Sequence, residues 1–368
     1  MYEKFNLKGN PFKNNIPKPV LKSKNKLVWA GLEKIKNKLN LYYDRALTSN
    51  HKQIILNWGP YGGGKTFSAD YFINYIDFDL KNLNFTQIYL RSPKTGNIAG
   101  SELYKNILDY LSFSDICSRV NTLIKEYGDE ALFKIINSRI KSEEFTKSLI
   151  LLGNEDRDIL ETMRRYVYSG LNRTELKELL LARNIETNSD NVKFMAGILT
   201  LYTITFDKKD SRVIFWLDEL EDLIYYSQKE YRAFSQILRD LFDTLVDNFT
   251  VFLNFTFSEP QDDTIELLLG GAIWSRINAK IRFKELNEED ATIYIKQLLR
   301  FYQINKTENF SPFTEDLILQ VLGLIPKSDL TPRSINKLLG DLLDFALEND
   351  YKLNEEAYVS WFESKYID

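Results

Sequence analysis

A parallel β-sheet with helices on both faces is the α/β architecture this sequence predicts, and three observations predict it. The first is a set of short apolar runs of strand length, among them Gln53 to Trp58 (QIILNW), Val213 to Leu217 (VIFWL) and Val251 to Phe257 (VFLNFTF). The unbroken run VIFWL is what a central strand buried on both faces needs. The second is the alternation of such runs with apolar-periodic helical stretches, which can cover both faces of a sheet. The third is GPYGGGKT from Gly59 to Thr66, a glycine-rich turn between the first run and the helical stretch FSADYFINYI. Strands are expected at 53–58, 86–92, 212–217, 250–257 and 280–284.

The glycine-rich turn fits the template G-x-x-x-x-G-K-[ST] at every fixed position. Such a P-loop leaves a strand, wraps backbone N–H groups around phosphates and opens a helix whose positive end faces the anion. Gly59, Pro60, Tyr61, Gly62, Gly63, Gly64, Lys65, Thr66 and Phe67 are therefore expected to bind a nucleotide. Lys65 would contact the β- and γ-phosphates, and the Thr66 hydroxyl would ligate Mg²⁺. A second element must supply a carboxylate for that Mg²⁺ at the tip of a neighbouring strand. Asp218 and Glu219 directly follow VIFWL, and they are expected to hold the Mg²⁺ and to orient or deprotonate the attacking water, respectively. Glu221 and Asp222 read as first-turn residues of the next helix, favoured by its dipole.

In VFLNFTF, Asn254, Thr256 and Ser258 fall on one face and Val251, Leu253, Phe255 and Phe257 on the other. Buried polar groups need partners, since each one left unpaired costs about 1–3 kcal/mol. Either they bond a neighbouring loop, or one of them senses the γ-phosphate or the attacking water. Thr256 is the first choice for that sensor, with Ser258 behind it.

Composition bounds the rest. The chain has 368 residues, 44% hydrophobic and 27% charged, which suits a folded protein of two or three domains. No apolar run is long enough to span a membrane, and MYEKFNLKGN lacks a signal-peptide core, so a cytoplasmic location and no membrane partner are expected. A single cysteine, Cys117, excludes an internal disulfide, and a single histidine, His51, excludes a Cys/His metal cluster. Residues 1–52 carry twelve Lys or Arg against three Asp or Glu, a net of +9, so the remainder of a chain of net −4 sums to −13. The basic arm is either a solvated surface or a patch for nucleic acid or an acidic partner. The acidic body argues against a stand-alone DNA binder.

The order of these parts, with Ser275-Arg276 in IWSRINAKIRF before the last strand, resembles the AAA+ ATPases. In particular it is similar to their initiator branch of Orc/Cdc6-type proteins and transposition ATPases, whose N-terminal segment FNLKGNPF also resembles. The resemblance implies that Arg276 is a finger reaching into a neighbouring subunit's site; a surface arginine paired to local acids is the other reading. Thr331 and Pro332 suit the N-cap and first position of a helix, SINKLLGDLLDFAL, which leaves Arg333 in its first turn. There it resembles the sensor-2 arginine of the AAA+ lid, which contacts the nucleotide from above. LDELEDLIYYSQKEYRAFSQILRDLFD, the helical stretch before it and the later TPR helix resemble the ATP-binding proteins of BREX-type phage-defence systems, over about half the chain.

Three regions follow: a basic arm and helix at 1–50, with VWAGLEKIKNKLNLYYDRAL helical; a nucleotide-binding core at 51–284; and an all-α lid at 285–368. Lid helices are expected near 288–302, 314–323, 331–348 and 354–365. Lys65 and Asp218 are 153 residues apart, where two strand–helix units need about 60. Residues near 101–206 are therefore a helical insertion, with segments DEALFKIINSRI, EDRDILETMRRYVYSG and RTELKELLLARNI. It serves either partner contacts or packing.

Two functions fit. One is an ATPase that assembles with copies of itself, or with other AAA+ or effector subunits, to drive a nucleic-acid-processing or phage-defence complex. Its catalytic set would be Glu219, Thr256, Arg276 and Arg333, with ATP and Mg²⁺ as ligands. The other is a nucleotide-dependent scaffold with little turnover. A GTPase does not fit, since no NKxD base-reading motif follows the acidic strand.

Overall fold

The structure, a computed structural model, describes residues 2–17, 27–74, 83–245, 247–257, 262–307 and 309–367. Five strands, β1 (Gln53–Gly59), β2 (Leu83–Arg91), β3 (Asp210–Asp218), β4 (Phe249–Thr256) and β5 (Ala279–Arg282), form one parallel sheet in the order β2-β3-β4-β1-β5. The expected strands differ from these by no more than three residues at any end. One expectation is corrected: β3, which carries Asp218, does not neighbour β1, because β4 lies between them.

Period-2 alternation in fully buried strands sends side chains to two separate cores. Val213, Phe215 and Leu217 of β3 and Val251, Leu253 and Phe255 of β4 enter the larger one. Ile214, Trp216 and Phe252 enter the other, where Trp216 and Phe252 stack with ring centroids 4.0 Å apart.

The N-terminal segment holds the short α1 (Pro11–Asn14) and then α2 (Glu33–Thr48), followed after β1 by α3 (Lys65–Asn74). The expected helix from Val28 starts five residues late. Gly31 and Leu32 both take left-handed conformations (φ 58° and 54°), which an α-helix cannot include. Helices α2 and α3 cover the Trp216 face.

The insertion between β2 and β3 comprises α4 (Ala99–Leu111), α5 (Phe113–Tyr127), α6 (Asp129–Ile140), α7 (Glu143–Leu151), α8 (Arg157–Tyr168), α9 (Arg173–Glu178) and α10 (Asn188–Leu201). It packs on the opposite sheet face together with α11 (Gln228–Thr244) and α12 (Asp262–Leu269), in the same core as β3 and β4. The expected helix RTELKELLLARNI ends early, at Glu178, because Leu180 adopts φ 55°. A short α13 (Gly271–Trp274) precedes β5.

The C-terminal helices are α14 (Glu288–Tyr302), α15 (Glu315–Gly323), α16 (Pro332–Glu348) and α17 (Glu355–Tyr366). Their core includes Phe5, Leu7, Phe12 and Ala30, so the N-terminal segment packs among these helices. The Asp344 carboxylate of α16 accepts from Tyr2 at 2.7 Å and from Asn10 at 2.7 Å, and pairs with Lys13 at 2.6 Å.

Candidate nucleotide site

At the C-terminal end of the sheet, β1 runs out into Gly59 and the loop that opens α3. Gly59 has φ 152°, and a Cβ there would lie 2.0 Å from the Phe283 carbonyl oxygen, so only glycine fits. Lys65 is 5% exposed, and its ammonium donates to the carbonyls of Gly59 at 2.9 Å and Pro60 at 2.8 Å. Burial lowers its pKa to about 8, against the pull of Glu221 and Asp218.

Thr66 Oγ1 donates to Asp218 Oδ2 at 2.6 Å, which joins the loop to the tip of β3. The same oxygen accepts from Tyr89 Oη of β2 at 2.7 Å, and Asp218 Oδ1 accepts from the Glu219 N–H at 3.0 Å. Burial and the Asp218 charge push the Tyr89 phenol well above its ordinary pKa, so it remains a donor. Sequence reasoning missed Tyr89, which looks like one more apolar position in its strand.

Register explains why β4 belongs between the other two strands. Thr256 pairs with Gly59 across β1 and β4, which puts the tip of β4 beside the start of the loop. Two residues deeper in the register, Asn57 donates to Asn254 at 3.0 Å in a fully buried cross-strand pair, so Asn254 is structural. Thr256 is half-buried, and its N–H donates to Glu221 Oε2 at 3.0 Å. Ser258 lies outside the described residues.

The acidic segment departs from expectation. Glu219 has φ 59°, and Leu220–Tyr225 form a 3-10 turn instead of the first turn of an α-helix. Glu219 points to the end of β2, where Oε1 is 3.4 Å from Arg91 and Oε2 is 3.0 Å from Lys94, which also binds Asp222. Glu221 instead turns inward to Thr256, into the cavity that Lys65 also lines. Burial raises its pKa, and its bonds with Thr256 and the Lys65 charge only partly offset that.

Arg333 arrives from α16. Thr331 Oγ1 caps α16 by accepting from the Ser334 N–H at 3.4 Å, with Pro332 at the first position. The Arg333 N–H donates to the Gly62 carbonyl at 3.4 Å, and its guanidinium lies 3.9 Å from the Tyr61 ring centroid.

These groups surround a cavity of about 860 Å³. Tyr61, Gly62, Gly64, Lys65, Thr66, Phe67, Asp218, Glu219, Glu221, Thr256 and Arg333 line it. Gly59, Pro60 and Gly63 shape the loop from behind. Away from the phosphate loop the wall is formed by Val28, Trp29, Ala30 and Leu32 with Phe67, Tyr294 and Asn336. Trp29 packs edge-on to Phe67 at 5.7 Å, and Tyr294 donates to Asn336 Oδ1 at 2.8 Å. The two left-handed residues that delay α2 thus leave Val28–Leu32 free to form this wall.

Arg276 lies elsewhere. It precedes β5 at the N-terminal end of the sheet, where Asn278 donates to the Ile54 carbonyl at 2.8 Å. Its guanidinium binds Asp243 at 3.0 Å, and among the described residues it does not line the cavity. Two lysines of the N-terminal segment are already engaged with C-terminal carboxylates, Lys4 with Asp350 at 2.8 Å and Lys13 with Asp344 at 2.6 Å. Lys18, Lys22, Lys24 and Lys26 lie outside the described residues. No described helix is long and apolar enough to cross a membrane.

Neither a family model nor a curated protein matches the sequence. Solved structures do match in fold. The Aeropyrum pernix ORC2 protein (ADPNP-ADP complexes) is 10% identical over 96% of this chain and 70% of its own, with a TM-score of 0.51. Drosophila ORC bound to DNA is 10% identical over 97% of this chain and 65% of its own, with a TM-score of 0.50. The fold, a five-stranded parallel sheet with helices on both faces among the described residues, is therefore similar to that of these ORC proteins.

Proposed function

We propose that this protein is an AAA+ ATPase that binds Mg²⁺-ATP and couples its hydrolysis to the assembly and action of a nucleic-acid-processing complex. The observation that carries this reading is convergence: Lys65 and Thr66 from the loop, Asp218 from β3, Thr256 from β4 and Arg333 from the lid line one cavity. Residues 65 and 333 come from opposite ends of the chain, and chance offers no reason for two cations and a buried carboxylate to meet there. The backbone of Gly62–Thr66 and the Lys65 ammonium would take the phosphates. The apolar wall of Val28–Leu32, Phe67 and Tyr294 suits a flat base, with Asn336 to bond its edge.

The residues present fit a hydrated Mg²⁺, since Thr66 supplies a hydroxyl and Asp218 a carboxylate that already touch one another. When bound, the ion would neutralise charge on the phosphates. Tyr89 holds Asp218 in place, and Thr256 marks the position of a sensor. Glu219 stands at the edge of the cavity as a carboxylate that would orient the attacking water. Arg333 would close the lid onto the nucleotide, and Arg276 would serve a neighbouring subunit in a homo-oligomer or a complex with other AAA+ or effector subunits. The basic arm is a route to nucleic acid, and the resemblance of the acidic segment to BREX-type proteins supports a role in phage defence inside the cytoplasm.

A nucleotide-dependent scaffold is favoured by one observation, the capture of Glu219 by Arg91 and Lys94. Steady-state phosphate release measured against protein concentration separates the two. The ATPase reading expects specific turnover to rise with concentration, because an arginine supplied in trans contributes about 10³–10⁵ in rate. ATP binding by calorimetry without turnover at any concentration would leave the scaffold.

A further inference from the structure

The site holds a carboxylate that its sequence motif does not account for. Glu219 and Glu221 are two residues apart, but the left-handed backbone at Glu219 and the 3-10 turn after it send their side chains to different places. Glu219 is bound by two exposed cations at the end of β2, Arg91 and Lys94. Glu221 is half-buried, and its Oε2 accepts from the N–H of Thr256 at the tip of β4 at 3.0 Å. Thr256 is in register with Gly59, the first residue of the phosphate loop. Glu221 also supplies the largest favourable charge felt by the Lys65 ammonium. It is therefore a carboxylate bonded to Thr256 and lining the same cavity as Lys65.

We propose that Glu221 is a further catalytic residue, the base that accepts the proton of the attacking water. This rests on the reading of the site as an ATPase. The water oxygen would bond to the γ-phosphorus while the bond from that phosphorus to the β–γ bridging oxygen breaks. The bridging oxygen keeps the electron pair and leaves on ADP, and the water's proton passes to the Glu221 carboxylate. Two features suit it to that task. Its second oxygen is fixed by a backbone donor, so the other is held in a set direction. Burial also raises its proton affinity, which brings a carboxylate closer to what a base near neutral pH needs.

The test compares Glu221→Gln, Glu219→Gln and wild type, using ATP, ADP, and ADP with fluoroaluminate as a mimic of the transferring phosphoryl group. Glu221→Gln should bind ATP and ADP within about threefold of wild type, yet lose about 10²-fold or more in single-turnover rate. It should also lose about tenfold or more in affinity for ADP with fluoroaluminate, a binding readout independent of turnover. Glu219→Gln should lose less than Glu221→Gln on both measures. Glu221→Asp, which keeps the acceptor one methylene short, should melt like wild type and show intermediate turnover. The assignment is overturned if Glu221→Gln hydrolyses ATP and binds the fluoroaluminate complex as wild type does, or if a folded Glu221→Asp is as fast as wild type. A wild-type protein that binds ATP but never turns it over instead defeats the ATPase reading itself, and this assignment falls with it.

Discussion

Lys65 carries its charge where charge is costly. It is 5% exposed, and burial lowers its pKa to about 8 against the pull of Glu221 and Asp218, yet two loop carbonyls hold the ammonium in the cavity. Its charged neighbours do not make up for that burial, and an apolar residue of similar volume in place of a buried cation is often as stable or more so. Its value is in what it meets. Lys65→Met should therefore melt at or above the wild-type temperature without nucleotide, but gain nothing from ATP. Wild type should gain about 2.7 kcal/mol at an ATP concentration 100 times the Kd. Differential scanning fluorimetry with and without ATP checks both halves, and a variant that still responds to ATP would remove Lys65 from the site. The residues of this loop were legible in the sequence because each is fixed by chemistry at a set spacing. Glu221 was not, because its direction depends on the left-handed backbone at Glu219, and an acidic residue after a strand looks the same either way. Tyr89 was hidden for a related reason: strand periodicity gives its face, not the partner of its hydroxyl.

Elements with a strong period were read closely. Helix α6 runs Asp129–Ile140, the span of DEALFKIINSRI, and α14 runs Glu288–Tyr302 as expected. The failures occurred where one residue's backbone overrides the period, at Gly31-Leu32 before α2 and at Leu180 after α9. The contact between the N-terminal segment and α16 was also out of reach, because it joins residues 330 and 334 positions apart. Its centre is Asp344. Burial pushes that carboxyl up, but bonds from Lys13, Tyr2 and Asn10 outweigh it and hold the pKa below the ordinary 3.8. A carboxylate whose pKa falls on folding adds stability above its unfolded value and loses it as pH drops through the folded one. Asp344→Asn should thus lower stability by about 1–2 kcal/mol at pH 7. The gap from wild type should shrink as pH falls below 3.8. Guanidinium titrations at pH 7 and in that acid range test this, and an equal gap at both would mean that Asp344 contributes nothing as a charge.

For the whole molecule, the basic N-terminal charge and the acidic remainder resolve partly into lysines that meet carboxylates of the C-terminal segment. The arrangement also places Arg276 where it cannot serve its own site. The phosphate loop leaves the C-terminal end of β1, whereas Arg276 precedes β5 at the sheet's N-terminal end, bound to Asp243. An arginine so placed acts on a neighbour or not at all, and mixing subunits distinguishes the two. Arg276→Ala subunits keep an intact phosphate loop and both acidic-segment glutamates. Subunits carrying Glu219→Gln with Glu221→Gln keep Arg276 but lack either base. Each population alone should be nearly inactive, short by about 10³-fold or more where the arginine is missing. In mixed assemblies, some boundaries would pair intact glutamates on one subunit with an intact Arg276 on the next, and activity should partly return. The double variant makes this outcome independent of which glutamate takes the proton. Light scattering with ATP shows whether mixed oligomers form. If they form and activity stays absent, Arg276 is a surface residue tied to Asp243; if no oligomer forms, the site is completed within one subunit.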